Sequence, residues 1–502
     1  MTISSVSSNV SPLIQNVLNI NSQLDDLQRQ LGTGQLTDSY AGLGAQSGIA
    51  VALNAQLAAI GSYDDTMTNV AANLTLKQSV LQQIASVGST VQAATVTPQY
   101  AIDGTGQTTV QKSAQDQLNQ ILSALNSQGG NGYLFSGSGL NQPSVDTADH
   151  ILNGNGSQAG LRQVTAERNQ ADLGADGLGR LVIPAAAGAV VSMNEDVAGS
   201  PFGLKLTGVN SSLTGATTSG PTGALDTISV DLSAATINNG DSITFTFALP
   251  DGTSQTLKLQ ATTSATPGAN QFTIGASPSA TAANLQAALT AGVSQVAGTS
   301  LSAASSIVAS QNFFDDPPQR VSGSPPSSAT SLTNGTSADT VFWYTGDNNS
   351  TSARSSSVSR IDTSTVVSYG TQANEQGIRW ILQNVAALAA TTYTANDPNA
   401  AASYTALNQR VYAALGTPSG VQNIDDIEAS LANAQTSIQT AQNQHAQTSN
   451  TLTTMLQSIE GVDTTKVGAQ ILQLQTNLQA SLATTARLAQ INLLAYLSPV
   501  SG

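Results

Sequence analysis

Apolar residues at Val10, Leu13, Val17, Ile20, Leu24, Leu27 and Leu31 alternate in spacing between three and four, so on a helix they form one continuous stripe. The C-terminal part repeats the pattern through Ile424, Ile427, Leu431, Ala434, Ile438, Ala441, His445, Thr448, Leu452, Met455, Ile459 and Val462, without a break. At 1.5 Å of rise per residue that helix is about 58 Å long, more than most globular helices. After Gly461 and a candidate cap at Asp463, a last amphipathic helix carries Val467, Ile471, Leu474, Leu478, Leu482, Leu488 and Ile491, and finishes with Leu493, Leu494 and Leu497. A narrow apolar stripe is marginal alone in water and needs a covering helix. The simplest cover for each chain end is the other, with the surplus left for neighbouring copies. The larger side chains of these stripes, Val10 to Leu31, Ile424 to Ile459 and Leu474 to Leu497, therefore make a candidate assembly seam.

Composition favours such long, shallow interfaces. Aromatic residues are 4% of the chain and charged residues 9%. Small side chains let backbones approach closely but bury little area each, against roughly 1.5–3 kcal/mol for a fully buried Leu, Ile or Val. Fifteen basic residues against thirty acidic ones leave a net charge of −15. With no basic cluster, nucleic acid and anionic membranes are poor partners. Cysteine is absent, which removes disulfides and thiolate metal sites. The first residues, MTISSVSSNVSPLIQNVLNI, lack the basic and continuously apolar regions of a cleaved secretory signal. No run of 18 consecutive apolar residues is found, so no membrane span is expected.

The fold class expected is mostly α with an α+β middle, long coiled-coil helices from both chain ends forming a rod, and a β-rich outer part inserted between them. Residues 1–165 read as the N-terminal half of the rod. There the first helix stops at Leu31-Gly32-Thr33-Gly34, a loop follows at Tyr40-Ala41-Gly42-Leu43-Gly44, and further helical patterns cover Gly48 to Val91 and Val110 to Leu125. A connecting segment, 166–200, leads to an inserted α+β module at 201–322. Strands are expected at Ile228–Leu232, Ser242–Leu249, Gln255–Gln260 and Gln271–Ile274, the middle pair joined as a hairpin by Pro250-Asp251-Gly252. A helix capped by Thr281 follows. Residues 323–335 read as a Pro/Ser linker and 336–420 as a small mixed segment with helices near Gly377–Ala390 and Ala402–Leu415. Residues 421–502 form the C-terminal half of the rod.

Catalytic patterns are missing. There is no Gly-x-Ser-x-Gly nucleophile turn. Of the two histidines, His150 falls in a loop-like stretch and His445 on its stripe, where no second His, Cys or carboxylate sits one turn away, so His445 reads as a polar register-setter or spacer. Residues Gly42 to Gly48 come close to a dinucleotide loop but have one residue too many and no preceding strand. The pairs Asp25-Asp26, Asp64-Asp65, Asp315-Asp316 and Asp425-Asp426 put adjacent carboxylates about 100° apart on a helix, which suits solvated faces and caps. Phe342-Trp343-Tyr344, the densest aromatic cluster, reads as core packing with two of the three buried. No enzyme activity, cofactor or metal is expected.

Four stretches resemble the flagellin superfamily, and more closely its hook-filament junction proteins. The turn Leu31-Gly32-Thr33-Gly34 after a heptad helix is similar to the junction between helical layers in that family. Gly132-Tyr133-Leu134-Phe135-Ser136-Gly137, followed by Gln142-Pro143, resembles the YLFSG segment of junction proteins. Phe342 to Asp347, with Ser368-Tyr369-Gly370 and Ala373-Asn374-Glu375 downstream, resembles another of their blocks. So does the ending from Leu474 to Leu497. The likeness covers 1–165 and 335–502; the insert carries no functional inference. A single Asp38 stands where many flagellins have an acidic pair. The resemblance implies a structural subunit of the bacterial flagellum, hook-associated or filament-forming, that serves motility. It implies export through the type III apparatus, with an export chaperone and no cleaved signal, and assembly outside the cell. The implied partners are copies of itself, hook-associated proteins and flagellin. A surface adhesin, argued only from the β-rich insert, is the alternative of another class.

Overall fold

The structure is a computed structural model that describes residues 4–130, 132–347, 352–416 and 420–497, and side chains throughout these except 4–11, 13 and 491–497. It is about half helical, with long helices at both ends of the chain and a β-containing middle. The helices are α1 (Ser4–Thr33), α2 (Ser47–Ala94), α3 (Thr109–Leu125), α4 (Ala148–Asn153), α5 (Leu161–Leu173), α6 (Pro278–Val296), α7 (Ser302–Phe313), α8 (Gln376–Ala390), α9 (Ala400–Ala414), α10 (Ile424–Glu460) and α11 (Thr464–Leu497). The chain divides into two compact units, one from Met1–Asn69, Arg360–Val366 and Thr436–Gly502, the other from Val70–Ser359 and Val367–Gln435. Helices α2 and α10 contribute residues to both.

In the first unit α1 ends at Thr33 because Gly34 turns the chain left-handed at φ +71°, a conformation glycine adopts without steric cost. The released backbone is taken up at once: Leu36 N donates to Glu460 O at 2.7 Å and Val462 N to Gly34 O at 3.0 Å. This short antiparallel bridge, centred on Gln35 and Gly461, ties the end of α1 to the start of α11. Asp463 caps α11, its Oδ1 accepting from Thr465 N at 2.9 Å and Lys466 N at 3.1 Å. The stretch expected as a loop at Tyr40–Gly44 is instead a 3-10 turn, Tyr40–Gln46, that runs directly into α2. Its kink sits at Gly44, φ +58°, so the glycines bend a helical path where the sequence suggested an open loop.

In the second unit α3 is opened by a capping box, with Thr108 accepting from Gln111 N and the Gln111 side chain accepting from Thr108 N. Two four-stranded sheets form the middle. One runs in the order Leu181–Val182, Val190–Glu195, Thr227–Asp231, Thr217–Thr222; the other Gln271–Thr273, Ser254–Thr262, Ser242–Ala248, Lys205–Ser211. The expected hairpin is present, Ser242–Ala248 pairing antiparallel with Ser254–Thr262, and Gly252 in its turn takes φ +79°. Period-two alternation sends Ile243, Phe245, Phe247, Leu257 and Leu259 inward, where they meet Phe272 and, from α6, Leu285, Leu289 and Val293. Gly292 lets α6 settle on the sheet, since a Cβ there would stand 2.8 Å from the methyls of Leu257. The same core draws in Leu181, Val191 and Met193.

Helix α6 begins earlier than expected. Ser277 is its cap, accepting from Ala280 N at 3.2 Å, and Pro278 takes the first turn, where a missing N–H leaves no bond unmade. Thr281 lies inside the helix and donates back to Ser277 O at 3.1 Å. The proline-rich run is folded too: Gln319–Ser322 pairs antiparallel with Ser331–Asn334, and Ala329 packs against Ala171 and Phe202. Arg320 fastens this hairpin to α5 through Glu167, with Nε to Oε2 at 2.9 Å and a further bond at 2.6 Å to Oε1. Arg410 on α9 does the same for the other hairpin by gripping Asp251 in its turn at 2.6 Å. Charged side chains are few, and several of those present join elements that apolar contacts leave apart.

Phe245 is 1% exposed, so Phe245→Ala should lower unfolding free energy by about 3–5 kcal/mol, measured by chemical denaturation. Arg410→Met should cost less, because Asp251 lies in a turn that water can reach once the pair is broken.

Candidate assembly surface

Helices α1 and α11 lie antiparallel in the first unit, joined at the Gln35–Gly461 bridge. Ile20, Leu24, Val467 and Ile471 are buried between them, with Leu27, Val462, Leu474 and Leu478 partly buried alongside. Polar walls flank this apolar floor: Gln23, Asp26 and Gln30 from one helix, and Gln470, Gln473 and Asn477 from the other, line a groove over Leu27 and Leu474. Arg29 pins the end of α1 through a 2.7 Å contact with Asp38.

The candidate seam is distributed unevenly. Val17 is half-buried, while Val10, Leu13, Leu493, Leu494 and Leu497 fall outside the residues whose side chains are described. On α10, Ile424, Ile427, Leu431, Ile438 and Leu452 are buried, and Ile459 is partly so. Four of the seam positions are exposed in the single chain: Leu31 is 45% exposed, Met455 47%, Leu482 50% and Leu488 41%. Beyond His445 the inward positions become Ser449, Leu452 and Leu456, and Thr448 and Met455 rotate outward. A straight helix has 3.6 residues per turn, so it drifts off a seven-residue repeat by about 20° per heptad. On α11 the three-four alternation passes from Leu478 to Ser481 and Thr485, which are half-buried, so Leu482 falls outside. Leu31 lies in the last turn of α1.

His445 is 6% exposed on its stripe, its Nδ1 3.0 Å from Asp64 Oδ1 and its ring 6.0 Å from that of Tyr63. A buried imidazole therefore finds a partner on α2. The acidic pair supplies that partner through one member only, and Asp65 does not join it.

Further apolar surface on the same unit is exposed among the described residues: Ile14 is 50% exposed, Leu18 61%, Ile49 52%, Val51 49% and Leu472 66%. The helical stretch Tyr40–Ala94 is long and apolar enough by composition to cross a membrane, although no uninterrupted apolar run was found in its sequence. Only 11% of its most apolar window is buried. Alanines supply much of this character, and Asn54 and Gln56 interrupt it. Exposed apolar area of this extent marks an interaction surface.

The second unit gathers the motifs of its middle and C-terminal parts into one knot. Ala373 N donates to Phe135 O at 2.8 Å, Gly137 N to Thr371 O at 3.2 Å, and Asp347 N to Ser136 O at 2.9 Å. Gly132–Gly137, Phe342–Asp347 and Ser368–Glu375, far apart in sequence, thus hydrogen-bond to one another. Trp343 and Tyr344 are both buried, and Trp343 Nε1 donates to Phe314 O at 3.1 Å. They follow an irregular path with a single bridge at Val145–Tyr344, so adjacent residues are buried where a strand would bury alternate ones.

Lys77 enters this knot from α2. Its Nζ donates to Tyr369 O at 2.9 Å and lies 4.9 Å from the centre of the Tyr369 ring. Burial brings its pKa down to about 7; the nearby Arg354 adds to the effect and Glu375, ion-paired with Arg354, opposes it. Sequence reading missed Lys77 because a lone lysine in a helical pattern looks like any solvated one. Among the described residues no group of three or more His, Asp or Glu side chains is placed to hold a metal ion.

Two outcomes follow from this geometry. From about pH 7 up to 10.5 the unfolded chain holds a proton on Lys77 that the folded chain has released, so this residue makes stability rise with pH in that window. Thermal melts of Lys77→Met should show a shallower rise between pH 7 and 9 than the parent. On α11, Leu472→Asp should change unfolding free energy by no more than about 0.5 kcal/mol yet stop seeded polymerisation. Ile471→Asp, one residue away but inside the helix pair, should lower the melting temperature as well.

No curated protein matches the chain. Residues 6–139 match the bacterial flagellin N-terminal helical region.

Proposed function

We propose that this protein is an axial component of the bacterial flagellum that joins hook to filament, assembling through the helices at its two chain ends. The observation that carries the flagellar part is the flagellin match over 6–139, a region that contains α2, α3 and all but the first two residues of α1. Two features favour assembly through the ends. The α1–α11 pair covers one apolar stripe, and Ile14, Leu18, Ile49, Val51 and Leu472 are left for other copies. Met455, Leu482 and Leu488, outside the intramolecular pair, belong to the same interaction surface in this reading.

The junction role rests on the resemblance of the Gly132–Gly137, Phe342–Asp347 and Ser368–Glu375 blocks to those of junction proteins, and on their convergence in one hydrogen-bonded knot. Its neighbours are then hook-associated proteins on one side and flagellin on the other, reached after type III export with a chaperone. Filament flagellin is the second reading, favoured by the family description of the match.

Deleting the gene separates the two. A junction protein leaves hooks without filaments and flagellin shed into the medium; a filament protein leaves shortened or thinned filaments. Copy number in sheared flagella gives the same answer, since a junction protein is a minor band. Removing the last twenty residues should abolish incorporation into flagella in either role, while the sheets keep their thermal transition; normal incorporation of that truncation overturns assembly through the ends.

A further inference from the structure

In the second unit α5, the segment after α8 and the start of α9 enclose a recess of about 210 Å³. Its walls are polar, and several of those polar atoms have no hydrogen-bond partner among the described residues. Thr165 is 8% exposed and its Oγ1 makes no hydrogen bond; neither do Asn169 Oδ1 and Arg162 Nε, all three buried and lining the recess. A buried polar atom left unpaired costs about 1–3 kcal/mol, so three around one hollow indicate that something there completes them. Arg162 already commits one arm to Asn153, Nη1 to Oδ1 at 2.7 Å, and its side chain lines the recess. Across from it stand Asp397, whose Oδ1 accepts from Asn399 N at 2.9 Å, and Tyr393, beside Ser403. Burial pushes the Tyr393 phenol well above its ordinary range, which keeps it a donor.

The missing partner must both give and accept hydrogen bonds. Arg162 Nε can only donate, so it needs an acceptor; Asn169 Oδ1 can only accept, so it needs a donor; Thr165 Oγ1 does either. An inorganic anion leaves Asn169 unpaired, and an ammonium-type cation leaves Arg162 unpaired. One guanidinium and one carboxylate also cancel, so the walls favour no net charge. The volume is below the roughly 300 Å³ of pockets for drug-sized ligands and equals about seven waters at ~30 Å³ each. A hydroxyl-rich molecule with a single ring meets these conditions.

We propose that this recess binds a small neutral polyhydroxy compound of the monosaccharide class, with Thr165, Asn169 and Arg162 as its polar contacts. The recess belongs to the second unit and does not depend on the assembly reading.

The test is isothermal titration calorimetry of the full chain with D-glucose, D-galactose and myo-inositol, and with sodium sulfate and tetramethylammonium chloride as charged controls. Saturable binding of at least one of the three neutral probes is expected, with neither control competing. Thr165→Val should weaken it by about tenfold or more and Thr165→Ser should restore it, the loss of one buried hydrogen bond. Should Thr165→Val not fold, as judged by circular dichroism, Asn169→Leu carries the same expectation. Failure of all three neutral probes to saturate at millimolar concentration, tighter binding of sulfate than of any of them, or binding unchanged in the folded variants overturns the proposal and leaves the recess as a water site.

Discussion

The constraint on which the architecture rests is that an apolar stripe one residue wide must be covered lengthwise by another helix. Ile20 and Leu24 on α1 meet Val467 and Ile471 on α11 from opposite ends of the chain. Closing so long a loop is less costly than it sounds, because closure entropy grows only with the logarithm of length. The bridge at Gln35 and Gly461 fixes the register of the two helices at one end. Whatever lies between can therefore be large and varied without weakening the pairing, and here it includes two four-stranded sheets.

Small side chains shape the rest. Where Ala, Ser, Thr and Gly predominate, backbones come close, and polar groups near the backbone do what bulky apolar residues do elsewhere. The knot around Phe135, Tyr344 and Gln372 is held by main-chain hydrogen bonds between three separate segments, with Lys77 bound to the backbone at Tyr369. Arg320–Glu167 and Arg410–Asp251 fasten hairpins to helices in the same way, with polar groups in place of apolar bulk. A partly buried bidentate pair gives direction as well as attraction, which suits joints that have little apolar area to share.

The secondary structure was legible wherever a period or a punctuation mark was strong. The helices, the 242–262 hairpin and the Asp463 cap are visible in the residues because each depends on neighbours within a few positions. Errors arose where two signals competed. Thr281 and Ser277 are both good caps, and Pro278 decides for Ser277 because it can occupy only the first turn. The composition of 323–335 suggested a Pro/Ser linker, but the pairing of 319–322 with 331–334 depends on Ala171 and Phe202, which no local window contains. Met455 and Leu482 keep a seven-residue repeat that a straight helix gradually leaves behind, which places them outside the intramolecular stripe.

Periodicity and composition were enough to establish from sequence that both ends are amphipathic helices and that the middle is β-containing. Those properties belong to single residues and near neighbours, whose geometry the helix and strand repeats set in advance. Tertiary structure alone decided that Ser136 meets Gln372, that Lys77 is buried against Tyr369, and that Thr165, Asn169 and Arg162 surround one hollow with unpaired atoms. Each of these depends on which distant segments share a volume, and burial and hydrogen bonding acquire their meaning only when that volume exists.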